Sequence, residues 1–386
     1  MHGFWRVFIV ILVCFTLTGC WDSAEIDQLA IATASGLDVA NNADHPVING
    51  YLQIAVPSAL GTTSGGSPSS TTGSKDTFVL AKGTGPDVVS CLDDARRNLS
   101  RKLIMSHRRV TVVGEDFAKA GVHDLLDEIT RNRISRLRTI ILVGYHQSAK
   151  DILTLPYPLE RLPQEAVIGF TRQSTKVEFT VKNFISDQAH GDPYTLGIEP
   201  VTFVNGAQES GFALRHIAVF RESRLVGWLG GDEFEGFLWL RGIMRDDLSS
   251  VQIPGLAGSI STKLLRTKMK RTVTWVNGGP KVVLRMELTD DIVKNGTRLD
   301  LNKPANVERV QTAISGHIES EMRAALDELQ HQYKADPIGM MDDIYRRYPW
   351  WWHSVKANWR NAYSELPVEL QVEVNVRRSG MITSTW

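Results

Sequence analysis

The residue with the best-defined chemistry is a cysteine near the N-terminus. Cys20 closes the run Leu17-Thr18-Gly19-Cys20, after an apolar stretch from Val7 to Leu17 and the positive residue Arg6. The apolar stretch is shorter than the roughly 20 residues that a membrane-spanning helix needs. A positive flank, an apolar core and small residues before a cysteine are typical of a bacterial lipoprotein signal. We therefore predict that residues 1–19 are a signal peptide and that the Cys20 thiol carries diacylglycerol.

Two other interpretations of this N-terminal segment remain open. It could be an ordinary secretion signal or an uncleaved signal anchor, with Cys20 incidental to either. An ordinary signal usually ends in an A-x-A-like pattern, and this one does not, which favours lipidation. No later apolar run reaches the length of a spanning helix. The mature chain is therefore expected to be held to a membrane by its lipid.

The composition is that of an ordinary globular protein. Lys+Arg and Asp+Glu both number 43 among 386 residues, so the formal net charge is zero, and 42% of residues are hydrophobic. Because a neutral chain has no global field that attracts nucleic acid, we expect no nucleic-acid partner. The length after the signal is sufficient for two or three domains with their own cores.

Residue patterns that would support catalysis or metal binding are weak. The sequence contains no G-x-S-x-G elbow, no H-E-x-x-H pair and no P-loop. Gly83-Thr84-Gly85 is explained as the turn before a helix. The paired acids are explained as solvated faces, because adjacent side chains point apart; they are Asp93-Asp94, Asp290-Asp291 and Asp342-Asp343. We therefore predict a non-enzymatic protein with no catalytic residues, no cofactor and no metal site.

The remaining cysteine and the histidines favour structural explanations. Cys14 leaves with the signal and Cys20 carries lipid, so Cys91 has no partner for an intrachain disulfide. The helical spacing of Cys91 with Val88 and Ala95 favours a core position over a reactive thiol. Four scattered histidines are expected in buried or hydrogen-bonded structural positions: His107, His123, His146 and His216.

An aromatic group near the C-terminus is the strongest candidate for a contact surface. It comprises Tyr345, Tyr348, Trp350, Trp351, Trp352 and Trp359, with positive side chains between them. One interpretation is a core packed between a helix and a sheet. The other is a protein–protein or membrane-interface surface, where tryptophan, tyrosine and arginine are enriched. Both can hold, with some rings inward and others outward, and we name Trp350, Trp351 and Trp352 as candidate partner contacts.

The elements that would position these residues begin with an α/β pattern. Strands and helices alternate from Thr77 to about Leu155, which predicts a layer with some parallel pairing. The predicted strands are Thr77–Ala81, Arg109–Val113 and Arg138–Gly144, and the predicted helices are Pro86–Lys102, Ala120–Arg131 and Gln164–Asp187. The low-complexity stretch Gly61–Asp76 has little to bury, which predicts a flexible loop.

The second half is richer in strands. Hairpins are predicted for Phe212–Phe220 with Arg224–Leu229 and for Lys268–Val276 with Lys281–Leu288, helices for Glu233–Leu240 and Ala305–Tyr333, and a half-buried strand from Val368 to Val376. The expected fold class is mixed α+β, with an α/β-like N-terminal region and a β-rich plus long-helix C-terminal region. We predict domains at 20–193 and 194–386, with a subdivision of the second near residue 300.

Several stretches in the same order resemble the Ger(x)C family, the lipoprotein C subunits of spore germination receptors. The family begins with a lipidated cysteine, Trp-Asp and an acidic residue, which correspond to Cys20, Trp21, Asp22 and Glu25. The other similar stretches are Gly83–Leu103, Arg109–Glu115, Leu125–Arg138, Leu225–Leu229, Glu233–Arg241, Tyr348-Pro349, Asn358-Trp359 and Arg377–Gly380. The resemblance spans nearly the whole mature chain, although the Gly61–Asp76 insert and the triple tryptophan are unusual for the family.

This resemblance implies a membrane receptor component rather than an enzyme. The chain would be the C subunit of a nutrient germinant receptor, on the outer face of the spore's inner (cytoplasmic) membrane, beside integral-membrane A and B subunits. Only Cys20 would have a defined chemical role. The alternative is a lipoprotein solute-binding protein that presents a small nutrient ligand to a membrane partner, and such proteins usually have two α/β lobes around a cleft. An anchored hydrolase is disfavoured because no nucleophile or metal motif is found.

Overall fold

The computed structural model describes residues 28–40, 47–60, 77–132, 135–205, 207–245 and 247–378, together with Gly3 and Glu25. Cys20, the Trp21-Asp22 pair and the Gly61–Asp76 stretch lie outside the described residues, so the lipid anchor and the flexible loop stay predictions. No helix among the described residues is long and apolar enough to cross a membrane.

The larger of two sheets contains nine strands and the smaller contains four. The larger is built from β1 (Leu29–Ala40), β2 (Val47–Ala55), β3 (Phe78–Gly85), β4 (Lys102–Ile104), β5 (Val110–Val113), β6 (Ile140–Gly144), β7 (Tyr194–Asn205), β8 (Ala207–Arg221) and β9 (Arg224–Gly230). The smaller is built from β10 (Leu248–Gln252), β11 (Ser259–Val276), β12 (Gly279–Asn295) and β13 (Val368–Arg378). Their strand orders are β3-β2-β1-β5-β6-β7-β8-β9, with β4 beside β1, and β10-β11-β12-β13.

Helices connect and cover these strands. The first part of the chain contains α1 (Pro57–Leu60), α2 (Val88–Arg97), α3 (Glu115–Ala120), α4 (His123–Arg131), α5 (Ala149–Leu153), α6 (Pro163–Ser174) and α7 (Val181–His190). The rest contains α8 (Asp232–Arg241), α9 (Pro304–Asp327) with a π-helical turn at Glu328–Gln332, α10 (Met340–Arg347), α11 (Pro349–Val355), a 3₁₀ turn at Lys356–Asn358 and α12 (Trp359–Ser364).

The centre of the large sheet is parallel, as the alternating pattern predicted. Strands β1, β5, β6 and β7 pair in parallel, and the outer pairs β1–β2, β2–β3, β7–β8 and β8–β9 are antiparallel. Strands β5 and β6 are buried at every position, because helices cover both faces of a parallel sheet. The mixed α+β class and both predicted hairpins are therefore confirmed.

The predicted division between residues 193 and 194 stays a prediction. Strand β7 begins at Tyr194 and continues the large sheet by pairing with β6. The same sheet thus contains strands from both sides of the predicted boundary.

The helix predicted over Gln164–Asp187 is wrong as a single element. The structure has α6 and α7, separated at Thr175, whose backbone is extended at φ −136° and ψ 156°. Thr175 forms an isolated bridge with Met244, and its hydroxyl donates to the Val177 carbonyl at 2.7 Å. These bonds compete with continuation of the helix.

Two shorter helices also differ from their predicted bounds. Helix α2 starts after the N-cap Asp87, whose carboxylate accepts the Ser90 N–H at 2.8 Å, and Lys102 already belongs to β4. The segment predicted as Ala120–Arg131 becomes helical only from His123, because Gly121 has φ +129°. The long helix is confirmed, with its last predicted turn in π-helical form.

Gly83 and Gly85 lie in strand β3, not in the predicted turn before a helix. A Cβ at Gly83 would lie 2.1 Å from the backbone nitrogen of Ala95, and one at Gly85 would lie 2.6 Å from that of Cys91. The glycines therefore let helix α2 approach the strand closely.

Candidate functional site

The C-terminal aromatic group is divided between core and surface. Trp359 is buried and Trp351 and Trp352 are half-buried against the main core. By contrast, Trp350 is 62% exposed and Tyr345 is 47% exposed. The core interpretation thus applies to Trp359, and the contact surface stays a prediction for the exposed residues.

A further tryptophan that sequence reasoning missed completes the exposed part. Trp275 lies at the end of β11, beside the two-residue turn Asn277-Gly278, and its ring centroid is 4.8 Å from that of Trp350. The ring of Tyr348 is 5.1 Å from Trp275. We call Trp275, Val276, Tyr348 and Trp350 the aromatic tip. Its members are distant in sequence, so only the hairpin turn at the end of β11 could have indicated that Trp275 is exposed.

A groove of about 870 Å³ lies beside the aromatic tip. It runs between the β11–β12 turn and helices α11 and α12. Its lining combines apolar Trp351, Val355 and Ala362 with the charged residues Lys281 and Glu365. The half-buried Trp351 is thus part of one wall of a surface groove next to the exposed tryptophans.

Helix α10, which carries the chain toward the tip, is held at its start by Asp336. The N-cap is Gly339, which has no side chain to accept the first N–H groups. The Asp336 carboxylate accepts them instead, from Gly339 at 3.0 Å, Met340 at 3.1 Å and Met341 at 2.7 Å. Burial raises the pKa of Asp336 to about 7, although these bonds act in the opposite direction.

Asp336 also ties this segment to the large sheet. Its backbone N–H donates to the Asp192 carboxylate at 2.9 Å, and the Asp192 N–H donates to the Asp336 carbonyl at 3.0 Å. Arg360 donates to the same Asp192 carboxylate at 3.5 Å. On the other side, Arg271 of β11 pairs with Asp343 of α10 at 2.9 Å. Helix α10 is therefore fixed to both sheets.

A second polar cluster lies at the carboxyl ends of β5 and β6. Glu115 accepts hydrogen bonds from Trp228 Nε1 at 2.9 Å and from His146 Nδ1 at 3.0 Å. Beside it, the ring of Tyr145 stacks on that of His216, with the two ring centroids 3.6 Å apart.

Burial alone would raise the pKa of Glu115, but the hydrogen bonds from Trp228 and His146 stabilise the charged form more strongly. The net effect is a pKa below the ordinary value of a glutamate. Glu115 is thus a charged acceptor that orders this edge. His146 is hydrogen-bonded, as predicted. His216 is half-buried and stacked on Tyr145, and its Nδ1 has no hydrogen-bond partner among the described residues.

Cys91 occupies the predicted core position. Its side chain is fully buried and donates to the Val88 carbonyl at 3.2 Å. Burial raises the pKa of the thiol to about 12, so it stays protonated at neutral pH. Among the residues that the structure describes, no group of His, Cys, Asp and Glu is placed to hold a metal ion.

One of the paired acids does not lie on a solvated face. Asp290 is 4% exposed on β12, and burial raises its pKa to about 6. The prediction was wrong here because Asp290 shares the buried side of β12 with Leu288 and Ile292, where an apolar residue would be expected. Asp93 pairs at the surface with Arg96 and Arg97. Asp343 is half-buried and pairs with Arg271.

Two half-buried carboxylates, Glu235 and Glu321, lie where α8 crosses α9. Glu321 accepts the Trp239 Nε1–H at 3.0 Å and lies 3.2 Å from His317 Nε2. Burial raises the pKa of Glu321 to about 8 and that of Glu235 to about 7. The fold therefore favours the protonated forms of both side chains.

We expect the free energy of unfolding to fall as pH rises from about 4.5 to about 8. Because the pKa of Glu321 is raised in the folded state, protonation of its side chain stabilises the fold. This stabilisation is fully present below the unfolded-state pKa, and it is lost as pH rises through the folded-state pKa. Glu321→Gln should raise the free energy of unfolding at pH 8 by about 1 kcal/mol or more, since one pKa unit corresponds to about 1.4 kcal/mol. At pH 5 it should have little effect. Urea unfolding at both pH values measures this.

The matched control is Glu319→Gln on the same helix. Glu319 is exposed and pairs with Arg323 at 3.3 Å, so its replacement should change stability little at either pH. An equal effect of Glu321→Gln at both pH values would contradict the prediction.

Sequence profiles of known families match both halves of the chain. Residues 22–199 match the family described as "Spore germination protein N-terminal domain". Residues 215–380 match the family described as "Spore germination B3/ GerAC like, C-terminal".

Curated relatives from Bacillus subtilis (strain 168) match over nearly their full lengths. The putative spore germination protein YfkR is 26% identical, covering 99% of this chain and 98% of the relative. Spore germination protein KC is 24% identical, and the match covers 97% of this chain and 95% of the relative. Spore germination protein B3 is 23% identical, and the match covers 97% of each chain. The crystal structure of the GerBC protein is similar with a TM-score of 0.55 and 18% identity, covering 89% of this chain and 98% of that one, which shows a shared fold.

Proposed function

Because the chain belongs to the Ger(x)C family of spore germination proteins, we propose that it is the lipid-anchored C subunit of a nutrient germinant receptor. The observation that carries this proposal is that both family profiles match in order along nearly the whole chain. The family is not a known class of enzyme, and we propose that the chain acts without catalysis, beside integral-membrane A and B subunits.

The proposed anchor is diacylglycerol on Cys20, at the outer face of the cytoplasmic (spore inner) membrane. One acyl chain binds a bilayer only reversibly, whereas two give stable anchoring. Leu29, the first residue of β1, follows Cys20 by nine positions, so the large sheet would lie within roughly 30 Å of the lipid. Such a tether raises the local concentration of the chain beside its membrane subunits.

The proposed organisation keeps the domains at 20–193 and 194–386. Contact with a partner is proposed for the Trp350-Trp351-Trp352 run, where Trp350 is the most exposed of the three. The alternative of a solute-binding protein is less well supported, because the described residues form one nine-stranded and one four-stranded sheet instead of two similar lobes.

Cys20→Ala should release the chain from spore membranes that are washed in high salt, which screens electrostatic contacts with lipid. Without the thiol no diacylglycerol can be attached, so the membrane-bound fraction should fall at least about tenfold. Germination with nutrients should fall to the level of spores that lack the chain. Immunoblots of membrane and soluble fractions, with germination followed by loss of optical density, measure both effects.

Cys91→Ala is the matched control, because Cys91 is buried in the core and has no role in anchoring. It should stay membrane-bound. A Cys20→Ala chain that remains bound and functional would contradict the proposed anchor, and normal germination of spores without the chain in every nutrient would contradict the receptor role.

A further inference from the structure

The aromatic tip lies where two strongly basic segments meet. From Leu248 to Met286 the sequence contains seven Lys and Arg residues and no Asp or Glu. From Ile344 to Ser364 it contains four Lys and Arg residues and again no acid. The first segment includes β11 and the β11–β12 turn, and the second includes α11 and α12. In a chain of zero formal net charge, these two segments therefore have a local excess of positive charge.

Part of this charge is neutralised within the fold. Four of the cations pair with carboxylates: Arg271 with Asp343, Lys281 with Glu369, Arg346 with Asp342 and Arg360 with Asp192. Exposed cations without an ion pair to any described residue remain on β11 and beside the tip, namely Arg266, Lys268, Lys270, Arg347 and Lys356. Of these, Lys268 has an acid, Glu287, opposite it on β12. Arg347 and Lys356 lie in the segments that flank Trp350, and the Arg347 guanidinium is 5.7 Å from the centroid of the Tyr348 ring. The three cations of β11 lie on the opposite face of the strand from Trp275, because side chains alternate between the two faces. The cations available to an anion at the tip are therefore Arg347 and Lys356.

The apolar part of the tip is large and open to solvent. Trp350 is 62% exposed, Val276 is 45% exposed and Trp275 is 37% exposed. Tryptophan and tyrosine are enriched at membrane–water interfaces, where the ring lies at the level of the headgroups. Each lysine or arginine near an anionic leaflet adds about 1 kcal/mol of attraction. Exposed tryptophans beside unpaired cations therefore match the chemistry of an anionic lipid surface.

The position of the tip in the fold also favours contact with a membrane. Parallel strands β1, β5, β6 and β7 all begin at the same edge of the large sheet. Just before β7, Asp192 bonds to Asp336 and Arg360, which flank the helices that carry Trp350. Leu29 begins β1 at that edge too, so the N-terminal segment enters the sheet on the side where these helices are attached.

We propose that the aromatic tip, with Arg347 and Lys356 beside it, forms a second membrane contact, which binds the headgroup region of a bilayer that contains anionic phospholipid. The rings enter the interface, and the cations contact lipid phosphates. Together with an N-terminal tether, a second point of contact would fix the orientation of the chain on the membrane.

The test measures vesicle binding without the lipid anchor. All buried core residues that the structure describes lie between Ala30 and Leu370, so a chain that starts at residue 20 and carries Cys20→Ser keeps this core. It is mixed with vesicles of phosphatidylcholine alone or of phosphatidylcholine with phosphatidylglycerol, and bound protein is measured by co-sedimentation. We expect binding to the anionic vesicles, weaker binding to the neutral ones, and loss of binding in high salt.

Two double variants separate the contributions of the rings and the charges. Trp275→Ala with Trp350→Ala, and Arg347→Glu with Lys356→Glu, should each lower the partition coefficient on anionic vesicles at least about tenfold. All four side chains are exposed, and thermal unfolding checks that the variants remain folded.

Matched controls lie away from the tip. Leu159→Ala removes an 80% exposed apolar side chain, and Lys82→Glu with Lys150→Glu makes the same charge change on the edge strand β3 and on α5. Both should bind like the parent chain. Failure of the parent chain to bind either vesicle, or equal binding by the tip variants, would overturn the proposal. Loss of co-purification with the membrane subunits, with vesicle binding unchanged, would also overturn it and assign the tip to a protein contact.

Discussion

Replacing Asp336 with alanine is expected to lower the free energy of unfolding by about 3 kcal/mol or more, since each buried donor left without an acceptor costs about 1–3 kcal/mol. The side chain accepts the N–H groups of Gly339, Met340 and Met341, and it is 1% exposed, so water cannot replace it. Loss of these bonds frees the start of α10 and weakens the attachment of that helix to Asp192.

Urea unfolding followed by circular dichroism measures the effect, and Asp327→Ala is its control. The Asp327 side chain is 67% exposed, and its contact with His331 is 3.9 Å long, so its removal should change stability by less than about 0.5 kcal/mol. If the two variants were equally stable, Asp336 would not be the residue that caps α10.

Gly236→Ala is expected to lower the free energy of unfolding by about 2–3 kcal/mol through overpacking. Gly236 lies on α8 where it crosses α9. A Cβ there would lie 2.0 Å from the Glu321 carbonyl oxygen, 2.4 Å from its carbon and 3.0 Å from the Met322 nitrogen. These are backbone atoms of a helix, which cannot rotate away as the end of a side chain can. The two helices must separate, which opens the core between them.

Gly316→Ala on α9 makes the same chemical change without a contact. No atom lies within 4 Å of the position of its Cβ, so the substitution should stabilise the protein by about 0.5–1 kcal/mol through helix propensity. The two alanine variants should therefore shift the midpoint of unfolding in opposite directions. A shift in the same direction would show that the close crossing at Gly236 does not hold.

Local pattern predicted most of the elements and failed where distant contacts intervene. The three- and four-residue spacing in Ala305–Tyr333 and the hairpin of Lys268–Val276 with Lys281–Leu288 depend on neighbours in sequence, and both were predicted. The break at Thr175 was not predicted, because it depends on a bridge to Met244 and on the bond from the Lys176 N–H to the Ile243 carbonyl. The spacing of apolar residues along the sequence cannot indicate contacts between such distant residues.

The sequence by itself determined the α/β pattern, the hairpins, the core position of Cys91 and the family signature, because each depends on residue types at short spacing. Only the tertiary structure decided which tryptophans are exposed. Trp275 and Trp350 are far apart in the chain, and the β11–β12 hairpin and helices α10 and α11 bring their rings to 4.8 Å. Tertiary packing also placed Asp290 in the core, since burial depends on what packs against a strand and not on the residue itself.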